Sequence, residues 1–149
     1  MSFRFTLEAV LRWRESFERR ERLRLEVVIR EVIKAQRGRD QAKLDRAGAI
    51  AAFQRKLREG MSAAELQFEL ACDRARQRRI AKLNDHYSKL DDLRRRQLES
   101  FRKAQQKRKI MENLRERKRA EYQLTLVRRQ QQEIDERYLL TRSRNSDKP

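Results

Sequence analysis

The stretch Leu57-Arg58-Glu59-Gly60-Met61-Ser62-Ala63-Ala64-Glu65-Leu66 ends one helix and begins another. Glycine is favoured just past a helix C-terminus, because without a Cβ it takes φ > 0 free of a clash. Ser62 with Glu65 three residues later forms a capping box: the hydroxyl accepts from the Glu65 amide, and the carboxylate reaches back to the Ser62 amide. A stop and a start this close leave the second helix one way to run, antiparallel along the first.

Working outward, apolar residues recur in alternating steps of three and four: Phe3, Leu7, Val10, Phe17, Leu25, Val28, Val32, Ala35, Ala42, Ala49, Phe53 and Leu57, with gaps at Arg14 and Glu21. This is coiled-coil spacing, widened locally by Leu11, Trp13 and Ile29. Beyond the turn it resumes at Leu66, Leu70, Ile80, Leu83, Tyr87, Leu90, Leu93, Leu98, Phe101, Ala104, Met111 and Leu114, and continues to Leu124 and Val127. The pattern predicts an all-α fold, two long helices forming an antiparallel coiled-coil hairpin. The first helix covers about 3–59, the turn 60–62, and the second helix about 63–141; a flexible tail is expected over 142–149. At about 1.5 Å per residue the helices span roughly 85 Å and 120 Å. Folding about the turn sets Phe3 across from Arg119, Leu7 near Leu114, Val10 near Met111 and Val32 near Leu90. Ala35, Ala42 and Ala49, with Gly38, form a small-residue section against which Tyr87, Leu83 and Ile80 pack. The second helix then has no intramolecular partner for about 20 residues after Arg119, although Tyr122, Leu124, Leu126, Val127, Ile134, Tyr138 and Leu139 lie there. Exposed apolar residues on such a helix await another protein.

Composition agrees. Charged residues make up 42% and hydrophobic ones 38%, which supplies a stripe rather than a globular core. Three glycines and one proline in 149 residues argue for long helices over disorder. The single Cys72 excludes an internal disulfide and fits a reducing compartment. Charged residues interrupt any secretory or membrane-spanning run, so membrane association is expected to be peripheral only.

The formal net charge is +17, unevenly placed. Residues 94–119 hold twelve basic and three acidic side chains, and residues 3–28, expected beside them, seven and five. The open end of the hairpin therefore carries most of the excess, which calls for an anionic partner. Phosphate backbone, anionic lipid and an acidic protein surface all qualify on charge alone. No reading head, zinc-finger spacing or basic region feeding a parallel zipper is present, which argues against nucleic acid. Catalysis is not expected either. No phosphate-cradling glycine loop exists, and the one histidine, His86, has no Cys or His at ligand spacing. No cofactor, metal or small-molecule substrate is anticipated.

The two ends of the chain resemble the FliJ family of flagellar export proteins. The N-terminal block F-x-F-x-L-E-x-V-L-x-x-R-E stands as Phe3, Phe5, Leu7, Glu8, Val10, Leu11, Arg14 and Glu15. A second block, R-K-x-x-E-x-L-x-E-R, stands as Arg108, Lys109, Glu112, Leu114, Glu116 and Arg117, followed by Tyr122; a third contains Gln131, Ile134, Asp135 and Glu136. Gln130 and Gln132 depart from the Glu and Lys that the family pattern leads one to expect. The resemblance implies a stalk-like coiled coil of the flagellar type III export apparatus, cytoplasmic and peripheral to the inner membrane at the flagellar base. It implies engagement of the hexameric export ATPase, the membrane export gate and export chaperones. A rod inside a ring touches it with outward side chains, so Arg94, Arg95, Arg96, Arg108, Lys109, Arg115, Arg117, Tyr122 and Ile134 are the expected ring contacts. Phe53 and Phe68, near the bend, are candidates for the gate. The competing readings are a basic coiled coil binding nucleic acid or anionic membrane, and the equivalent stalk of a virulence-type secretion system.

Overall fold

The computed structural model describes residues 3–146, and side chains through Arg144. It consists of two long helices, α1 (Glu8–Glu59) and the longer α2 (Ala63–Ser146), packed against each other, with no strand among the described residues. The chain divides into two compact units. A terminal unit joins the residues up to Glu18 with α2 from Ala104 onward, and a bend unit spans Arg19–Lys103.

The bend unit contains the turn. Gly60 takes φ 102°, the left-handed conformation that a side chain resists. The capping box closes in both directions: the Ser62 amide donates to Glu65 Oε2 at 2.8 Å, and the Glu65 amide donates to Ser62 Oγ at 3.2 Å. These bonds, with the Ser62 amide foremost, hold the Glu65 carboxyl below its ordinary range. Leu25 and Val32 are buried between the helices. The pairs Lys56–Glu69, Arg46–Asp73 and Arg39–Tyr87 mark successive levels of antiparallel packing away from the turn. Ala35, Ala42 and Ala49 lie half-buried as expected of a small-residue section, but Gly38 plays no part in it. A Cβ built there meets nothing within 4 Å.

In the terminal unit the buried residues are Phe5, Leu11, Glu18 and Ala104. Several expectations are corrected here. Helix α1 begins at Glu8 rather than near Phe3, because the chain turns first: the Glu8 amide donates to the Phe5 carbonyl, and α-helical bonding starts with Leu11 to Leu7. Phe3 consequently packs on Tyr122 with tilted rings, 5.7 Å between centroids, which gives Tyr122 an intramolecular partner where none was expected. The seam also runs through Leu11, fully buried, whereas Leu7 and Val10 are exposed. Helix α2 continues through Ser146, past the fraying point expected at Thr141. Thr141 Oγ1 donates to the Arg137 carbonyl, and the chain has no helix-breaking proline before its last position. Of the anticipated tail, residues 147–149 lie outside the described residues.

One periodicity accounts for these burial patterns. Leu11, Glu18, Leu25 and Val32 are buried at seven-residue intervals, and half-buried Arg39, Arg46 and Phe53 continue the series. Arg14, Glu21, Val28, Ala35, Ala42 and Ala49 form the second seam row. On α2 the matching half-buried row is Leu66, Asp73, Ile80, Tyr87, Arg94, Phe101, Arg108, Arg115 and Tyr122. A strict heptad of this kind underwinds a helix to 3.5 residues per turn, and polar residues within it specify register at some loss of stability.

Candidate functional site

The seam is unusually polar, and this decides which charges remain for a partner. In the terminal unit Glu18 is buried, and the Arg108 guanidinium donates to it from across the seam while also pairing with Glu112 on its own helix. Those carboxylates, Glu18 first, raise the Arg108 pKa above its ordinary value. Arg115 lies 3.8 Å from Glu8. In the bend unit Gln97 Nε2 donates to buried Glu21, at 2.6 Å to Oε2 and 3.3 Å to the backbone carbonyl. Arg46 grips Asp73 with two parallel bonds of 2.8 and 3.1 Å, which hold the Asp73 carboxyl below its ordinary range. The Arg39 guanidinium sits 4.3 Å from the Tyr87 ring centroid. No buried side-chain polar atom lacks a partner among the described residues, as a polar seam requires.

The expected ring-facing residues therefore separate into two kinds. Arg94, Arg108 and Arg115 occupy the seam row of α2, and each reaches a carboxylate: Asp91 at 2.8 Å, Glu18 and Glu112, and Glu8 respectively. Arg95 is exposed and bonds Asp91 at 3.1 Å, while Arg96, in the same bend unit, is exposed with no ion pair among the described residues. In the terminal unit Lys109 and Arg117 are likewise exposed and unpaired, as are Lys107 and Arg119, which the expected set left out. Tyr122 is half-buried against Phe3, and Ile134 is exposed. The signal for this division is present in the sequence. Arg94, Arg108 and Arg115 stand at multiples of seven from Leu66, whereas Arg96, Lys109 and Arg117 do not.

From Val127 to Arg144 every residue is exposed, including Val127, Ile134, Tyr138, Leu139 and Leu140. Leu124, Val127, Ile134 and Tyr138 follow the three-and-four spacing of a second apolar stripe. It is displaced by two positions from the row ending at Arg115 and Tyr122. Two residues are about 200° of helical rotation, so the new stripe lies on the opposite face of α2.

Near the bend, Phe68 is exposed beside a shallow groove of about 590 Å³ lined by Lys56, Met61 and Ala64. Phe53 is half-buried in a separate apolar groove of about 370 Å³, with Ile50, Leu57 and Leu70. His86 is exposed, and Cys72 is a free, half-buried thiol. No helix is long and apolar enough to cross a membrane, and no cluster of His, Cys, Asp or Glu is placed to hold a metal, among the described residues.

Comparison with known proteins adds one finding. No curated protein and no solved structure matches the chain. The family model described as flagellar FliJ protein, in contrast, matches residues 3–146, from the Phe3 block to the end of α2. The chain therefore belongs to the flagellar FliJ protein family, and is a component of the flagellar export apparatus.

Proposed function

We propose that this protein is the stalk-like coiled coil of the flagellar export ATPase, engaging the hexameric ring with its outward surface and coupling it to the export gate and export chaperones. The observation that carries the reading is the division of charge in the terminal unit. Arg108 and Arg115 are held in intramolecular pairs, whereas Lys107, Lys109, Arg117 and Arg119 face solvent without an acidic partner. Unpaired cations on a rigid coil attract an acidic wall without first giving up contacts of their own. On this reading Lys109 and Arg117, with Arg95 and Arg96 of the bend unit, meet the ring. Arg108 and Arg115 tie α2 to α1 in the terminal unit, and Arg94 pairs with Asp91 on its own helix. Tyr122 fixes the Phe3 segment, and exposed Ile134 adds an apolar contact. Phe68, more exposed than Phe53, is the better candidate for the gate.

The test is stimulation of the cognate hexameric ATPase by the full chain. Replacing Arg95, Arg96, Lys109 and Arg117 by Gln should abolish stimulation while circular dichroism stays helical. Absence of stimulation by the intact protein would sink the proposal. The net charge of +17 keeps a second reading open, binding to nucleic acid or anionic membrane at the peripheral face. That reading predicts an affinity falling steeply with salt in the absence of any ATPase; a flat salt profile excludes it.

A further inference from the structure

The second apolar stripe of α2 has a geometry and a charge pattern that point to a particular occupant. Leu124, Val127, Ile134 and Tyr138 are all exposed, and they face away from the intramolecular seam. A helix seated on them leaves the contacts of Phe3, Glu8 and Glu18 with α2 undisturbed. Their spacing is that of coiled-coil core positions, with Gln131 and Thr141 completing the rows. The surrounding charge is nearly balanced. Residues 120–149 hold six basic and five acidic side chains, against the strong excess over 94–119. Like stretches of this kind do not repel one another.

We propose that this stretch pairs with the same stretch of a second copy of the chain, antiparallel, in a reversible dimer. Charge selects the direction. Parallel pairing brings Arg137 of one copy beside Arg142 of the other and aligns both Lys107–Arg119 stretches, rich in unpaired cations. Antiparallel pairing separates those stretches. Its register seats Val127 against Tyr138 and Gln131 against Ile134, each twice by symmetry. Arg128 of each copy then stands beside Asp135 of the other, giving two ion pairs of opposite sign. The covered area fixes the strength. At on the order of 100 Å² for each large apolar side chain, four from each copy cover on the order of 800 Å². A stable interface buries about 1,200 Å² or more in total, so this dimer is transient. It also covers Ile134, and a chain paired in this way is withheld from any partner that needs that face.

Sedimentation velocity of the full chain over rising concentration tests the proposal. The weight-average mass should climb from the 18.2 kDa of one chain toward twice that value. Ile134→Asp should weaken association by about tenfold or more without loss of helicity. Asp135→Arg should weaken it as well, and the swap Arg128→Asp with Asp135→Arg should restore it. Direction is read separately from spin labels on a cysteine placed at Gln123 in a Cys72→Ala background. Antiparallel pairing sets the labels about 30 Å apart, and parallel pairing about 10 Å. A chain that stays monomeric throughout, a dimer indifferent to Ile134→Asp, or labels at the short distance would each overturn the inference. The first of these outcomes would assign the stripe to a different protein. ATPase stimulation is a separate readout, so failure here leaves the stalk reading standing.

Discussion

Val32 and Val127 are the same residue on two long helices, yet one is 7% exposed in the bend unit and the other 61% exposed in the terminal unit. The bend unit buries Leu25 and Val32 in its seam and pairs Arg46 with Asp73 across the two helices. The C-terminal part of α2 carries Leu124, Val127, Ile134 and Tyr138 on the opposite face, where all four stay exposed. Coiled-coil periodicity therefore predicts that a partner exists, but not whether that partner is the same chain. The rotational phase of the pattern carries that information.

The largest expected effect comes from the buried polar seam. Glu18→Ala should destabilise the protein by about 2–3 kcal/mol, because Arg108 loses its cross-seam acceptor and keeps only Glu112. Chemical denaturation measures it. The double variant Glu18→Met with Arg108→Leu should recover most of that loss or exceed wild type, since an apolar pair avoids desolvating two charges. Failure to recover would mean that the pair contributes more than register. Next, Val32→Ala should destabilise by about 2 kcal/mol, whereas Val127→Ala should stay within about 0.5 kcal/mol of wild type. Equal effects would erase the contrast between the two stretches.

Ser62→Ala should destabilise by about 1 kcal/mol through loss of the cap, without change in the oligomeric state of the protein. Acid should act on the same unit. Glu65, Asp73 and Asp91 have lowered carboxyl pKa values, owed first to the Ser62 amide, Arg46 and Arg94 respectively. Groups depressed in the folded state stabilise it fully above their unfolded values near pH 4 and lose that contribution as pH falls through the folded ones. Hydrogen exchange should show bend-unit amides losing protection below about pH 4, by a modest amount because none of the three groups is fully buried. The smallest effect is a gain. Gly38→Ala should stabilise by about 0.5–1 kcal/mol, because the site is helical with open space for a Cβ.

Much of this was legible from residue order. Gly60, Ser62 and Glu65 specified the turn because helix stops and caps are local chemistry, complete within a few residues. The two-helix fold followed, since two apolar rows joined by so short a turn bury each other. The misread positions have physical causes. Counting from Phe3 set the seam at Val10, because an apolar residue next to the true one satisfies three-and-four spacing almost as well. The strict sevenfold run Leu11, Glu18, Leu25, Val32 corrects it, but only to a reader willing to put glutamate in a core. Arg108 and Arg115 looked like surface charge because composition does not reveal which way a side chain faces.

The sequence by itself determined the helices, the position of the bend and the basic excess beside the C-terminal stretch, all set by local propensity or by counting. Only tertiary structure decided that Glu18 and Glu21 are buried and that Arg108 and Arg115 pair across the seam. It alone placed Phe3 on Tyr122 and left the stripe from Leu124 to Tyr138 uncovered. Burial and pairing depend on what stands opposite. In this chain the opposing residues are far away along the sequence, 90 positions for Glu18 and Arg108 and more for Phe3 and Tyr122.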